Sequence, residues 1–199
     1  MTQPAIKRAS FEDLIEISGD RPLEIIDGQI VEKEAARFEH SCAQRGMASW
    51  TGMLFHRKPE GPTGGWWIGT EAEVGYSSGD VYLHDLAGWR RDRVPQMPSG
   101  RPVMAVPDWV CEITSPTNWR HDTVVKFDTC FRHRVNHFWI VNVEHRVLTV
   151  YRWHPEGWLR LLAVEPGQRA RLEPFDAVEF EVSALFGDDP GPEPAKIVG

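Results

Sequence analysis

PDWVCEIT (107–114), HDTVVKFDTCFRHRV (121–135) and HFWIVNV (137–143) decide the fold of this 199-residue chain. The first segment reads as a strand that ends at Ser115-Pro116. The second places Val124, Phe127, Phe131 and Val135 at spacings of 3, 4 and 4, the stripe of a helix packed on a core. The third is a nearly all-apolar run, the pattern of a central strand buried on both faces. Strand, helix and strand in that order point to an α/β fold around one mixed sheet flanked by helices.

Upstream, SFEDLIEIS (10–18) predicts a short helix with Ser10 as N-cap and Asp13 three positions on. LEIIDGQIVEKE (23–34) predicts a hairpin turning at Asp27-Gly28, a strong turn pair. A helix follows from Glu39 to Phe55, then a Pro/Gly-rich loop and strands at 66–74 and 79–86. The Arg-, Pro- and Gly-rich stretch 87–106 reads as a long surface loop. Downstream, a turn at Glu144–Arg146 leads into VLTVYRW, and GWLRLLAV adds another strand. A single domain is expected over 1–186, with GDDPGPEPAKIVG (187–199) too poor in apolar residues to order itself.

Composition narrows the function classes. Hydrophobic residues make up 41% and charged residues 26%. That is the balance of a soluble globular domain. No apolar run is long enough for a membrane span, and the N-terminus lacks the apolar core of a secretory signal. Cys42, Cys111 and Cys130 form no CxxC pair, which fits a reducing compartment and gives neither a disulfide framework nor a cysteine zinc site. A cytoplasmic setting is expected. The net charge of −7 argues against a non-specific nucleic-acid coat. The acids concentrate at the two ends, however, and residues 35–164 carry 13 acids against 15 bases, which leaves room for a local cationic cleft.

The residues with chemistry lie on the strands and the helix just described. Alternation puts Val81, Leu83 and Asp85 on one face of their strand and Asp80, Tyr82 and His84 on the other. Likewise Val110, Glu112 and Thr114 oppose Trp109, Cys111 and Ile113. Asp85 and Glu112 are thus acids near the ends of otherwise apolar faces, where a buried carboxylate needs a cation or a donor. Lys126 follows on the helix, one position off its apolar stripe and four after Asp122. Two carboxylates, a strand carbonyl and a lysine can hold Mg²⁺ and activate water against a phosphodiester. The same residues also fit a purely structural role, with Asp85 capping a turn and Glu112 paired to Lys126 or an arginine.

DVYLHDLAGWRR, PDWVCEITSP and HDTVVKFDTCFRHRVNHFWIVNV, with LEIIDG upstream and VLTVYR downstream, resemble the Uma-type family of the PD-(D/E)xK nuclease superfamily. The resemblance spans residues 10 to 182 and is strongest over 80–152. It implies a restriction-endonuclease-like fold, Mg²⁺ dependence with Mn²⁺ as substitute, and cleavage of DNA. It places Asp85 at the aspartate of the PD motif, Glu112 at the acid of the (D/E)x motif, and Lys126 at a lysine supplied from the following helix. Thr114 stands where the superfamily usually has lysine. Asp85 and Glu112 would bind the metal, the Ile113 carbonyl would complete it, and Lys126 would orient or deprotonate the attacking water. Glu24 and His40 match recurrent positions in LEIIDG and EHS. The chain departs from the family at His84, in place of the proline before Asp85, at Asn142, and at Arg134 and Asn136. No proposed ligand is lost. Nicking both strands implies a homodimer.

Other signals weigh less. His133 and His137 are four apart, but the second opens a new strand and no third zinc ligand is evident. Nucleotide-binding glycine motifs and a GxSxG elbow are absent. Trp109 and Trp139 read as core, whereas Trp89 and Trp119, each beside arginine, are the better stacking candidates for a nucleic acid. Two functions therefore compete: an Mg²⁺-dependent endonuclease, and a nuclease-like module that binds DNA or a protein partner without cutting.

Overall fold

Helix α1 (Phe11–Ser18) starts where its capping box predicts: the Ser10 hydroxyl accepts from the Asp13 N–H, and the Asp13 carboxylate accepts from the Ser10 N–H. Strands β1 (Leu23–Ile26) and β2 (Gln29–Glu32) form the hairpin. Both turn residues have positive φ, 51° at Asp27 and 80° at Gly28, as a tight two-residue turn requires. A computed structural model describes residues 8–19, 21–59, 61–114 and 119–188 of the chain.

Helix α2 (Phe38–Phe55) buries His40, Ala43, Met47, Thr51 and Phe55, one side of the helix at spacings of 3 and 4. Strands β3 (Trp66–Gly75), β4 (Val81–Arg90), β5 (Trp109–Thr114), β6 (His137–Asn142), β7 (Val147–Arg152) and β8 (Leu159–Val164) follow. The main sheet runs β2-β1-β4-β5-β6-β7-β8, with β3 also paired to β4. Among the described strand pairs β5 and β6 alone are parallel, so the sheet is mixed as expected. Their connection crosses one face of the sheet through a π-helix (His121–Lys126) that continues into α3 (Phe127–Arg132). Helix α2 covers the other face.

Each face has its own core. On the α2 side Ala43, Met47 and Phe55 pack with Trp109, Cys111, Trp139 and Phe175. On the α3 side Val110, Phe138 and Val135 pack with Phe127 and Cys130. A small antiparallel pair, β9 (Arg169–Arg171) with β10 (Glu179–Glu181), and a 3₁₀ turn (Val182–Phe186) complete the α2-side core. The sequence reading has no element there, because three-residue strands leave too short a pattern.

Three expectations are corrected. Strand β4 runs on to Arg90, so the expected loop at 87–106 is partly strand: Ala87, Gly88 and Trp89 pair with Gly69, Ile68 and Trp67 of β3. Gly88 is favoured mid-strand because a side chain there would sit 3.0 Å from the Trp109 ring. Trp89 is 4% exposed and donates its indole N–H to the Ala105 carbonyl, so it presents no stacking surface; Trp119, 55% exposed, does. The helix expected over 121–135 ends at Arg132, and Val124, counted in its buried stripe, is exposed. The expected loose tail beyond Asp188 lies outside the described residues, as does Ser115-Pro116; at the tail's start, Arg146 pairs with Asp188.

Candidate active site

The site begins as a gap in the sheet. β1 meets β4 at Val81, and β5 meets the same strand at Leu86–Gly88. Between these points that edge of β4 has no ladder partner, and side chains satisfy Leu83 instead. Its N–H donates to Glu24 Oε1 at 2.8 Å. Its carbonyl accepts from Lys33 Nζ at 3.0 Å and from Lys126 Nζ at 3.3 Å. Two lysines from distant parts of the chain thus meet at one backbone oxygen.

Alternation also breaks here. Tyr82 packs on the α3 side with Ala87 and Trp89, whereas Leu86 packs on the α2 side. Even- and odd-numbered residues share a face only if the period of two slips once between 82 and 87. Opposite the slip, Glu71 of β3 has φ 47°, a left-handed conformation rare for glutamate. Such irregularities re-aim side chains at functional sites. Alternation from Tyr82 puts Asp85 on the α2 side, and the slip puts Leu86 there beside it. Asp85 Oδ1 accepts from Lys33 at 2.8 Å and its Oδ2 from the Ile113 N–H at 2.7 Å, while Gln44 takes its carbonyl at 3.0 Å. His40 Nε2 lies 3.1 Å from Oδ2, at an angle that makes no hydrogen bond.

Glu112 points to the other face. Its Oε2 lies 3.4 Å from Lys126 Nζ, and its Oε1 is in short contact with His84 Nδ1. His84 Nε2 in turn meets the Tyr76 hydroxyl at 2.7 Å, and that hydroxyl lies 3.6 Å from Cys130 Sγ. The π-helix supplies the rest. Its wider turn directs both Asp122 and Lys126 inward, with 3.4 Å between them, while Val124 faces solvent. Lys126 also lies 3.1 Å from Glu24 Oε1. It is therefore 1% exposed and enclosed by three acids, not perched at the edge of the helix face as its place beside the stripe implies.

The electrostatics follow. Burial works against the charge on Lys126, but Glu112, Glu24, Asp122 and Asp85 together hold its pKa well above the usual lysine value. Burial pushes the Glu112 carboxyl well up, since its nearest cation is shared among three acids. Asp85 is also raised by burial, against the pull of Lys33 and Lys126. Asp122 ends below the usual range because Lys126 and His121 outweigh its burial. Burial, reinforced by Lys126 and Lys33, keeps His84 neutral.

Of the residues singled out in the sequence, Glu24, Asp85, Glu112 and Lys126 converge around Leu83, with His40 beside Asp85. Ile113 contributes its N–H to Asp85. Asp80 stands apart and caps a turn, accepting from the Asp27 N–H and the Ser78 hydroxyl. Lys33, Asp122 and the His84–Tyr76 pair carry roles the sequence reading missed. A histidine inside the apolar run VYLHDL was the available signal, since a buried imidazole needs partners. Lys33, between Glu32 and Glu34, reads as ordinary surface charge.

Four buried acids, Glu24, Asp85, Glu112 and Asp122, surround two lysines, which gathers hard oxygen donors in one place. A hard divalent cation matches these oxygen donors. Among the described residues no group of three or more His, Cys, Asp or Glu side chains is placed to hold a metal ion. Mg²⁺ does not need one, because it keeps several waters and takes one or two protein carboxylates. Among the described residues no helix is long and apolar enough to cross a membrane.

Comparison with known proteins places the whole chain. The Uma2 family model, described as "Putative restriction endonuclease", matches residues 8–184. A solved structure from Anabaena variabilis, described as a putative nuclease belonging to DUF820, superposes with a TM-score of 0.71 at 17% identity. The match covers 89% of this chain and 97% of the other, and shows that the fold is shared. No curated protein matches. With a mixed sheet of the same fold and the family match over nearly its whole length, the chain belongs to the Uma2 family.

Proposed function

We propose that the protein is a Mg²⁺-dependent endonuclease that hydrolyses phosphodiester bonds in DNA. The observation that carries this reading is the buried cluster of four acids around two lysines beside the unpaired edge of β4. Asp85 and Glu112 would hold the ion, with the Ile113 carbonyl as a further oxygen and Mn²⁺ as substitute. The ion supplies a Lewis acid for the phosphate and lowers the pKa of bound water.

The protein's own residues prepare the site. Lys126 bridges Glu112 and Glu24 and holds both side chains in position. Glu24 holds the Leu83 N–H, which sets the backbone between the two acids. His84, neutral and backed by the Tyr76 hydroxyl, occupies one oxygen of Glu112 and leaves the other facing Lys126. DNA is the substrate class, and cutting both strands calls for two copies of the site in a homodimer.

One observation favours a non-cutting module that binds DNA or a protein: each acid already has a cation or donor against it. A nicking assay on supercoiled plasmid with Mg²⁺, Mn²⁺ or EDTA separates the readings. The nuclease nicks with either metal, stops in EDTA, and loses at least about a hundredfold in rate on Asp85→Asn, equal to about 2.7 kcal/mol of transition-state stabilisation. A folded wild type that binds plasmid but leaves it supercoiled under every metal is the module instead.

A further inference from the structure

The two lysines on the Leu83 carbonyl stand in different surroundings. Lys126 is sealed beneath the acids. Lys33, just past β2, has a side chain 13% exposed, and its partners lead outward. Its N–H donates to the Pro22 carbonyl, and its Nζ lies 2.9 Å from Glu71 Oε2 and 3.0 Å from the Leu83 carbonyl. Pro22, Glu71 and Leu83 all line one open cleft of about 470 Å³, together with Arg21, Glu73 and Arg101. Lys33 therefore reaches the cleft wall at Glu71 and Leu83.

The pairings differ in strength. Asp85 is buried, so its pair with Lys33 is poorly solvated, whereas the Glu71 side chain is 45% exposed. An exposed ion pair is worth about 0–1 kcal/mol and yields readily to a competing anion. When that happens Glu71 Oε2 swings off Lys33, while Gln44 keeps its hold on Oε1 at 2.6 Å. On the rim, Arg101 is aimed by bonds to Glu73 Oε2 and the Gly19 carbonyl, and Arg21 by one to the Ile17 carbonyl. Guanidinium forks suit phosphate oxygens, and an ammonium adds a compact point charge.

We propose that this cleft takes the sugar–phosphate backbone of a nucleic acid, with Lys33 exchanging Glu71 for a phosphate oxygen and Arg21 and Arg101 holding neighbouring phosphates. The proposal rests on the nuclease reading and assigns that reading's substrate path. Lys126, sealed from solvent, keeps the acids in place and leaves the phosphate contact to Lys33.

The test is binding without cleavage: anisotropy of a fluorescein-labelled DNA duplex in Ca²⁺, over a salt series. Arg21→Gln and Arg101→Gln each weaken binding by about fivefold and flatten the dependence of log affinity on log salt by about 0.9, one phosphate contact. To avoid stranding Asp85, Lys33→Gln is made together with Asp85→Asn and compared with Asp85→Asn alone; the same loss of slope is expected. Lys33→Arg keeps the slope, and Arg160→Gln on exposed β8 changes nothing. Unchanged slopes in both arginine variants overturn the cleft, and an unchanged slope in the double variant overturns the role of Lys33. A wild type with no affinity for the duplex overturns the nuclease reading itself, and the cleft assignment falls with it.

Discussion

Strand β5 carries two chemistries on its two faces. Trp109, Cys111 and Ile113 enter an aromatic core, where the Trp109 ring meets Trp139 edge-on at 5.2 Å and Phe175 at 4.9 Å. On the other face Val110 is apolar, but Glu112 enters a cluster of acids, lysines and histidine. Both faces are buried. The apolar side is held by shape and area, so a small change leaves a small gap that neighbours can partly fill. The charged side is held by pairing, and removing one partner leaves the others buried and unmatched. Similar burial therefore implies very different tolerance to substitution.

The largest effect expected from that contrast is Lys126→Met. It strands Glu24, Glu112 and Asp122 at once and should cost about 3–5 kcal/mol, read as a lower urea midpoint. Adding Glu112→Gln should restore part of the loss, since one unpaired charge goes with it. A cost below about 1 kcal/mol for Lys126→Met would break the comparison, because the cluster would then not depend on its central cation. Next is Tyr76→Phe, which removes the hydroxyl facing His84 Nε2 and leaves that buried nitrogen unmatched. Its cost should be about 1–3 kcal/mol.

Ile113→Val, one residue from Glu112 but on the aromatic face, should cost only about 0.5–1.5 kcal/mol in the same titration. It keeps the N–H that Asp85 accepts, so the difference between neighbours reports the faces alone. A loss as large as that of Lys126→Met would erase the distinction. The smallest effect concerns reactivity. Burial pushes the Cys130 thiol up to about 12 and Cys111 well above its usual value. Both therefore stay protonated near pH 8, and the thiolate is the reactive form. Only Cys42, half-buried on α2, should react with a thiol reagent in the folded protein, while Cys111 and Cys130 wait for unfolding. Fast labelling of Cys130 would mean that the charged side opens on its own.

Some of the site was legible in the chain. The acids Asp85 and Glu112 stood out because each interrupts an apolar strand face, and Lys126 because it follows on the next helix. Glu24 and His40 entered through family resemblance, and Lys33 did not enter at all. Its contacts to Leu83 and Asp85 span 50 and 52 residues, and nothing in VEKEA distinguishes it from surface charge. Val124 misled for a related reason: the residue counted toward a buried stripe faces out once the turn widens into a π-helix.

What the sequence determined by itself was what near neighbours set: the capping box at Ser10 and Asp13, the turn at Asp27-Gly28, the alternation along β5, and the order of elements from α1 to β8. These depend on backbone preferences and on the period of apolar residues, which act within a few positions. Only the tertiary structure decided that β1 and β5 meet β4 at separate points and leave Leu83 open between them. It also decided that β4 slips its alternation beside Asp85, and that Lys33 and Lys126, far apart in the chain, share one carbonyl. Those outcomes depend on which strands lie beside β4, and on the cost of burying acids without cations, which becomes a constraint only once the chain has closed around them.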